Sequence, residues 1–317
     1  MLTRADRFRH VLARLGWRRN EYRVEPGLYA IGRPSPTSPV FVTANYCLSM
    51  DALRSALAGV DAYILVLNTY GINVWCAAGK GTFGTDELVV RMEETSLAEV
   101  VSHRSLILPQ LGACGVSATE VRHRTGFQVE FGPVRAADLK AYLVHHIATP
   151  EMRRVRFDLL DRLVLVPVEV VHVALPMLIS AVVLYLAHGL LAAMGIVVAF
   201  LCGVALFPIL LPWLPTIDFS SKGYVLGGAA SLAFALAEWC GHVQEPWWQR
   251  GGWGLAYLLA LSSLTAYLAL NFTGSTPFTS RTGVRQEIDT YIPFMAALFG
   301  LGLILAIVLT VVRILGS

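Results

Sequence analysis

The sequence lacks the cysteine spacing that iron–sulfur clusters and structural zinc sites require. Its five cysteines include no Cys-x-x-Cys pair. A metal cluster or zinc site held by this chain alone is therefore not expected. In a reducing cytoplasm, the three cysteines of the first half, Cys47, Cys76 and Cys114, should remain free thiols.

The sequence also has little net charge, only +3 over 317 residues, and no basic patch with interleaved aromatics. Nucleic-acid binding is therefore not supported. Residues 78–82 resemble a nucleotide-binding P-loop only superficially, because Gly81 follows Lys80 where Ser or Thr is required, and Val74 occupies an essential glycine position. ATP binding is excluded on the same grounds.

Two further signals are missing from the first half. Residues 1–19 are basic and amphipathic, without the apolar stretch and small-residue cleavage site of a signal peptide. The histidines of this half fit no zinc spacing and are interpreted as solvated surface residues: His103, His123, His145 and His146.

Charged residues become scarce after residue 162. A bilayer core about 30 Å thick is crossed by roughly 20 apolar residues in a helix. Five apolar stretches meet or approach that length, about 163–187, 192–214, 224–240, 253–271 and 291–315. We expect a soluble domain over residues 1–161 and an all-α transmembrane domain of five helices over 162–317.

Basic residues near the ends of these stretches predict their orientation. Four arginines, at positions 153, 154, 156 and 162, precede the first stretch. Lys222, Arg281 and Arg285 fall on the same side, whereas only Arg250 and Arg313 fall on the other. The pattern predicts a multi-pass protein of the cytoplasmic (inner) membrane with its N-terminal domain in the cytoplasm.

The first 161 residues alternate between strand-like and helix-like patterns. Strands are predicted at 40–43, 62–67, 106–108 and 127–131, with a possible edge strand at 28–31. Helical patterns cover 51–57, 86–92 with 97–102, 117–123 and 136–146. Asp51 and Ser117 are predicted as N-caps, and Gly126 as a helix end. The alternation predicts an α/β fold with a parallel sheet covered on both faces.

Ligands of such sheets collect at the carboxyl ends of the strands. Here the segments that follow the four strands are 44–47, 68–80, 109–115 and 132–135, and three of them are rich in glycine or proline. Glycine allows the backbone to approach a ligand closely. We expect the four segments to line one crevice.

Cys76 stands out in these segments because the pattern places it in the first turn of a short helix, just after a strand and a glycine turn. The helix dipole favours a thiolate there, and Lys80, one turn later, adds positive charge on the same face. A thiolate is a ligand for soft metals. The alternative is an ordinary small, buried cysteine.

The membrane half leaves two questions open. Glu169 and His172 lie one turn apart, either as a functional intramembrane pair or at the membrane interface. The segment 271–287 is either a solvated connection or a cap over the crevice. A transporter with a soluble sensor domain would use Glu169, His172 and Glu238 as its polar path, although an odd number of helices without matched halves fits poorly.

Residues 73–86, NVWCAAGKGTFGTD, closely resemble the cap-helix motif of the mercury-methylating corrinoid proteins, the HgcA family. They are also similar to the large subunit of the corrinoid iron–sulfur protein. Residues 109–112 and 131–135 look like further cofactor loops of this superfamily, and 271–287 resembles the matching membrane segment of the HgcA family. The absent cysteine cluster and the five apolar stretches favour the HgcA family over the iron–sulfur relative. One position departs from the pattern of the HgcA family, because Cys114 stands where a proline is expected.

The resemblance implies a Rossmann-like (flavodoxin-like) domain that binds a corrinoid, cobalamin or a relative, with Cys76 as the lower axial ligand of cobalt. It implies a corrinoid-dependent methyltransferase that passes a methyl group from methyl-cobalt to Hg(II), giving methylmercury; another acceptor is the alternative. The implied cofactor-binding residues, from the four segments and the residues next to them, are Thr43, Asn45, Asn73, Val74, Trp75, Ala77, Ala78, Gly79, Lys80, Thr82, Phe83, Gln110, Leu111, Gly112, Ala113, Gly132, Pro133 and Val134.

The same resemblance implies two protein partners. A ferredoxin-like iron–sulfur protein would donate electrons, since this chain lacks a cluster of its own, and a methyl-donor methyltransferase would supply the methyl group. Trp75 and Phe83 are expected to pack the cap against the cofactor or the sheet.

Overall fold

The computed structural model describes residues 2–18, 21–276 and 279–316. The chain forms two compact units, residues 1–156 and 157–317. The elements of the first unit are, in order, α1 (Arg4–Arg14), β1 (Gly27–Ile31), β2 (Val40–Ala44), α2 (Cys47–Ala56), β3 (Ala62–Leu67), α3 (Val74–Lys80), α4 (Thr85–Glu94), α5 (Leu97–Val100), β4 (Ser105–Leu108), α6 (Ala118–Thr125), β5 (Gln128–Phe131), α7 (Leu139–His145) and α8 (Pro150–Arg153).

The first unit contains a mixed five-stranded sheet in the order β1-β3-β2-β4-β5. The four predicted strands are confirmed and pair in parallel. The predicted edge strand is also confirmed, but β1 runs antiparallel to β3, with Gly27 opposite Val66. The sheet is therefore not wholly parallel.

The two central strands β2 and β3 are almost wholly buried. Their continuous apolar runs are typical of strands covered on both faces. Val42, Leu65 and Leu106 belong to a core shared with α3, α4 and α6. Phe41 and Ile64 belong to a second core shared with α2 and α7. The prediction of helices on both faces is confirmed.

Two of the three predicted helix signals are confirmed. The Ser117 hydroxyl caps α6 by accepting from the Glu120 N–H at 3.3 Å, and Gly126 ends it with a φ of +77°. The N-cap prediction for Asp51 is wrong, because α2 begins four residues earlier, at Cys47. Asp51 instead lies within the helix, where Arg54 Nε donates to it at 2.6 Å.

The second unit contains α9 (Leu159–Leu163), α10 (Val166–His188), α11 (Leu190–Leu201), a π-helical turn (Cys202–Leu206), α12 (Phe207–Leu210), α13 (Phe219–Gly241), α14 (Trp247–Asn271) and α15 (Arg281–Gly316). Five helical segments of its described residues are long and apolar enough to cross a membrane: Leu159–His188, Leu190–Leu210, Phe219–Gly241, Trp247–Ser275 and Thr282–Leu315. The five predicted apolar helices are confirmed, although the second ends before the predicted residue 214.

Small residues bring α13 and α14 close together. A Cβ built on Gly223 would lie 2.6 Å from Ala266 Cα, and one on Gly227 would lie 2.9 Å from Ser262 Cα. Larger side chains would force the two backbones apart, so these glycines fix the spacing of the helix pair.

Two polar residues of this unit have buried or side-chain partners, and only the first differs from its sequence interpretation. Arg162, counted as a flanking cation, is 5% exposed and donates to the carbonyls of Pro208 and Ile209 at 3.0 and 2.7 Å. The Ser275 hydroxyl donates to Glu169 Oε1 at 2.8 Å.

The segment 271–287 is not simply a solvated connection, because Thr273 and Thr276 are buried. Residues 277 and 278 of this segment lie outside the described residues. Its predicted role as a cap over the crevice stays a prediction.

Candidate functional site

The carboxyl ends of the four parallel strands lie along one edge of the sheet. In the sheet, β2 lies between β3 and β4. The chain therefore runs from β2 to β3 on one side and then crosses over to β4 on the other side. Such a reversal opens a crevice at the carboxyl ends of the two diverging strands. The residues after β2 and after β4 therefore border the candidate site.

Asn45, directly after β2, organises the loop that follows β3. Its Oδ1 accepts from the Thr69 N–H at 3.1 Å, the Thr69 hydroxyl at 2.9 Å and the Gly71 N–H at 2.9 Å. Asn45 is 2% exposed and its neighbour Thr43 is 3% exposed. Both implied binding residues are thus enclosed by protein, and Asn45 acts on the site by shaping the loop.

The short helix predicted around Cys76 is confirmed as α3. The Asn73 side chain caps it by accepting from the backbone N–H of Cys76 at 2.9 Å. Gly81, with a φ of +84°, ends it in the left-handed conformation that glycine adopts readily. Cys76 lies in the first turn, as expected.

The two faces of α3 have different surroundings. Val74, Ala77 and Ala78 are buried in the core beneath the helix. Trp75 and Cys76 are half-buried, since they lie on the other side of the helix. Cys76 carries a free thiol and is not part of the core beneath the helix.

Phe83 joins α3 to the loop after β4. Its side chain is fully buried in the core that also holds Leu67 and Leu108 of the sheet. A Cβ on Gly112 would lie 2.6 Å from Phe83 Cε1, and one on Gly115 would lie 2.2 Å from Phe83 O. The two glycines let this loop pack directly on the cap, and the expected packing of Phe83 toward the sheet is confirmed.

A contact that sequence reasoning missed ties the loops after β4 and β5 together. Arg153 Nη1 donates to Gln110 Oε1 at 3.0 Å, and the Val134 N–H donates to the Met152 carbonyl at 2.8 Å. Arg153 had been read only as a cation flanking the first apolar stretch. No local pattern could have signalled this role, because the contact joins residues 43 positions apart.

The remaining implied residues differ in exposure. Thr82, Gln110, Leu111 and Val134 are half-buried. Gly132 and Pro133 are buried, and Gly79, Lys80 and Ala113 are exposed. Cys114 is exposed, with its sulfur 3.8 Å from the Leu111 carbonyl oxygen.

Near the loop after β5, Tyr142 has a shifted pKa. Its hydroxyl donates to Glu130 Oε2 at 3.1 Å. Burial, and next the neighbouring Glu130 carboxylate, raise the pKa of Tyr142 to about 12. A Cβ built on Gly132 would lie 3.7 Å from Cε1 of Tyr142. The neutral phenol ring therefore packs close to the backbone of the site loop.

Within the described residues, no group of three or more His, Cys, Asp and Glu side chains is placed to hold a metal ion. A metal at Cys76 would therefore take most of its ligands from elsewhere. A corrinoid, whose ring nitrogens surround cobalt, needs only one axial donor from the protein. The single soft thiol on the outward face of α3 fits that requirement.

Comparisons with known proteins concern the first unit. Residues 1–143 match the family described as CO dehydrogenase/acetyl-CoA synthase delta subunit. The acetyl-CoA decarbonylase/synthase complex subunit gamma of Archaeoglobus fulgidus is 38% identical over 127 residues, which cover 39% of this chain and 27% of that protein. The corresponding subunit of Methanopyrus kandleri is 34% identical over 127 residues, with the same coverage.

The chain is also similar to the corrinoid/iron–sulfur protein large subunit of Moorella thermoacetica. The two are 29% identical over 158 residues, which cover 47% of this chain and 35% of that protein. The chain thus spans about a quarter to a third of the length of these relatives. The family match over residues 1–143 includes the sheet, the cap helix and its surrounding loops. The likeness to the Moorella thermoacetica protein relates this chain to corrinoid proteins.

Proposed function

We propose that this chain is a membrane-anchored corrinoid protein that carries a methyl group and transfers it to Hg(II). The observation that carries the proposal is the placement of Cys76. Cys76 is half-buried and lies opposite the buried residues of α3, after the carboxyl end of β3. It falls within the family match over residues 1–143, and the chain is similar to a corrinoid/iron–sulfur protein.

Cys76 would hold the cobalt of a bound corrinoid through its sulfur. When bound, the corrinoid supplies a cobalt centre that accepts a methyl group and releases it to a soft electrophile. A thiolate is a strong, soft donor, so it favours release of the methyl group with its bonding electrons. Hg(II) is a soft electrophile and suits this transfer.

The protein holds the backbone at this thiol in two ways. Asn73 fixes the first turn of α3 through its bond to the Cys76 N–H. Val74, Ala77 and Phe83 anchor the opposite side of the cap in the core. An orientation held by packing and hydrogen bonds costs little further ordering when a ligand binds.

Other residues would bind the rest of the corrinoid. Trp75, half-buried beside Cys76, would offer an apolar surface to the ring. Gln110, whose amide oxygen is held by Arg153, has its amide N–H groups directed by that contact and would bind polar groups at the ring edge. The half-buried Leu111 and Val134 would line the crevice.

The proposal includes a membrane location and protein partners. Five long apolar helices would anchor the chain, and the arginine-rich segment before them favours a cytoplasmic first unit. The relatives are named as subunits of complexes, which supports partners for this chain as well. We propose a ferredoxin-like electron donor and a methyl-donor methyltransferase.

Absorbance spectroscopy tests the ligand assignment. The full-length chain, purified anaerobically in detergent, is mixed with a corrinoid, and its cobalt absorbance is compared with that of Cys76→Ala. A matched control is Cys114→Ala, which removes an exposed thiol from a nearby loop. We expect the spectrum of the native chain in the control and an altered spectrum in Cys76→Ala. Identical spectra in all three would contradict the assignment.

The acceptor is tested separately. Methylated, corrinoid-loaded protein is mixed with Hg(II) or with a low-molecular-weight thiol, and the methylated product is identified by mass spectrometry. Methylmercury formation supports the proposed acceptor. If the protein bound a corrinoid but transferred the methyl group only to the thiol, the methyl-carrier function would stand and the acceptor would differ. If the protein did not bind a corrinoid, the hypothesis of a transporter with a soluble sensor domain would be favoured again.

A further inference from the structure

One face of the N-terminal helix α1 is anchored to α2. Arg54 Nη2 donates to Asp6 Oδ2 at 2.9 Å, and His10 Nε2 lies 2.6 Å from Asp51 Oδ2. Ala13, one turn after His10, is fully buried on the same side. These contacts fix which residues of α1 point away from the domain.

The opposite side of α1 exposes large apolar side chains. Phe8 is 64% exposed and Val11 is 53% exposed, and their three-residue spacing places them side by side on the helix. Trp17, just after the helix, is 65% exposed. Exposed aromatic and aliphatic side chains that lie together commonly mark a surface that binds a partner.

Cations surround these apolar residues. Arg4, Arg7 and Arg14 are all exposed and lie on the same side of α1 as Phe8 and Val11. Arg9, by contrast, is paired with Asp6 on the anchored side. We call the exposed set of the helix the Phe8 face, which consists of Arg4, Arg7, Phe8, Val11 and Arg14; the exposed Trp17 follows the C-terminal end of α1 and serves as a second reporter.

We infer that the Phe8 face binds the anionic lipid surface of the membrane that the second unit spans. Apolar side chains at the centre of a helix face, with arginines beside them, enter the boundary between headgroups and acyl chains while the cations contact lipid phosphates. The five apolar helices of the same chain keep a bilayer within reach of the first unit. This inference rests on the proposed membrane location.

Hydroxyl-radical footprinting of the full-length chain tests the inference. The protein is incorporated, one copy per disc, into lipid nanodiscs of phosphatidylcholine alone or with about one third phosphatidylglycerol. Oxidation of Phe8 and Trp17 is measured by mass spectrometry. We expect roughly fivefold slower oxidation of both residues in the anionic discs, and loss of this protection at high salt.

Two variants separate the apolar and charged contributions. The apolar variant combines Phe8→Ser and Val11→Ser and is measured at Trp17. The charge variant combines Arg4→Gln, Arg7→Gln and Arg14→Gln. We expect each variant to lose the protection from oxidation. The matched control, Val90→Ser with Val144→Ser, replaces exposed apolar residues elsewhere in the first unit and should keep it. Oxidation of the buried Met50 reports that α2 and its core remain folded in every variant.

Three results would overturn the inference. Equal oxidation of Trp17 in neutral and anionic discs would show that the face does not bind anionic lipid preferentially. Protection that requires two copies per disc, whatever the lipid, would assign the face to a second copy. If the chain failed to enter the discs, the proposed membrane location would be refuted as well. If only the binding of the Phe8 face to lipid failed, the chain would still enter the discs.

Discussion

The side-chain oxygen of Asn73 accepts a 2.9 Å hydrogen bond from the backbone N–H of Cys76. This bond satisfies a donor that the first turn of a helix would otherwise leave unpaired. It also fixes the backbone at the residue proposed to hold cobalt. The cap of α3 and the position of the thiol are therefore one structural feature.

Replacing Cys76 by alanine should abolish methyl transfer to Hg(II) and leave the fold intact. Cys76 is half-buried and lies outside the core cluster, so the free energy of unfolding should change by less than about 0.5 kcal/mol. Methylmercury production and thermal unfolding are measured on the same preparation. Full production by a normally expressed Cys76→Ala would refute the ligand role.

Replacing Asn73 by alanine should loosen the first turn of α3. Loss of an N-cap costs about 1 kcal/mol, and the thiol loses its fixed backbone, so corrinoid affinity should fall. Asn73→Ser, whose hydroxyl also caps helices, should retain most of both properties. Equal corrinoid affinities in Asn73→Ala and Asn73→Ser would argue against a positioning role for the cap.

Replacing Gly112 by alanine should destabilise the first unit by about 2 kcal/mol, because the new Cβ would meet Phe83 at 2.6 Å. Phe83→Leu shortens the opposing side chain and should reduce the cost of Gly112→Ala when the two are combined. Chemical denaturation of the four forms in this cycle measures the coupling. Purely additive effects would show that the two residues do not constrain each other.

Replacing Arg153 by alanine should weaken corrinoid binding about fivefold. The reason is that the loss of one hydrogen bond leaves the Gln110 side chain without its fixed orientation. Stability should change little, because Arg153 is exposed. Arg154→Ala removes a neighbouring exposed arginine and serves as the control in a titration followed by absorbance. Equal losses in the two variants would point to general electrostatics instead.

The raised pKa of Tyr142 predicts a loss of stability at alkaline pH. Its pKa is about 12 in the folded chain, above the unfolded value of about 10, so the unfolded state releases this proton first. The contribution of Tyr142 is fully present below pH ~10 and is lost as pH rises toward 12. In unfolding measurements across this range, Tyr142→Phe should lose stability less steeply than the native chain, whereas parallel curves would contradict the assignment.

The cap helix shows how far local patterns reach. Its position after β3 and its first-turn cysteine were both predictable, because capping and turn preferences act over a few neighbouring residues. The half-buried position of Cys76 was not. That position depends on Val74 and Ala77 packing into a core built by distant strands.

Asp51 illustrates where such patterns mislead. Its residue type favours an N-cap, yet it lies inside α2 and contacts His10, 41 residues earlier. Arg162 is a similar case, since a cation expected at a membrane flank is buried against two carbonyl groups. Buried ion pairs and hydrogen bonds override local preference when tertiary contacts supply the partners.

The sequence by itself determined the division into an α/β half and an apolar helical half, because strand periodicity, turn residues and long uncharged runs are local properties. Only the tertiary structure decided that β2 lies between β3 and β4, that β1 runs antiparallel, and that Arg153 holds Gln110. The reason is physical: strand order and side-chain contacts depend on which distant segments bury each other's apolar surface, and a local pattern does not carry that information.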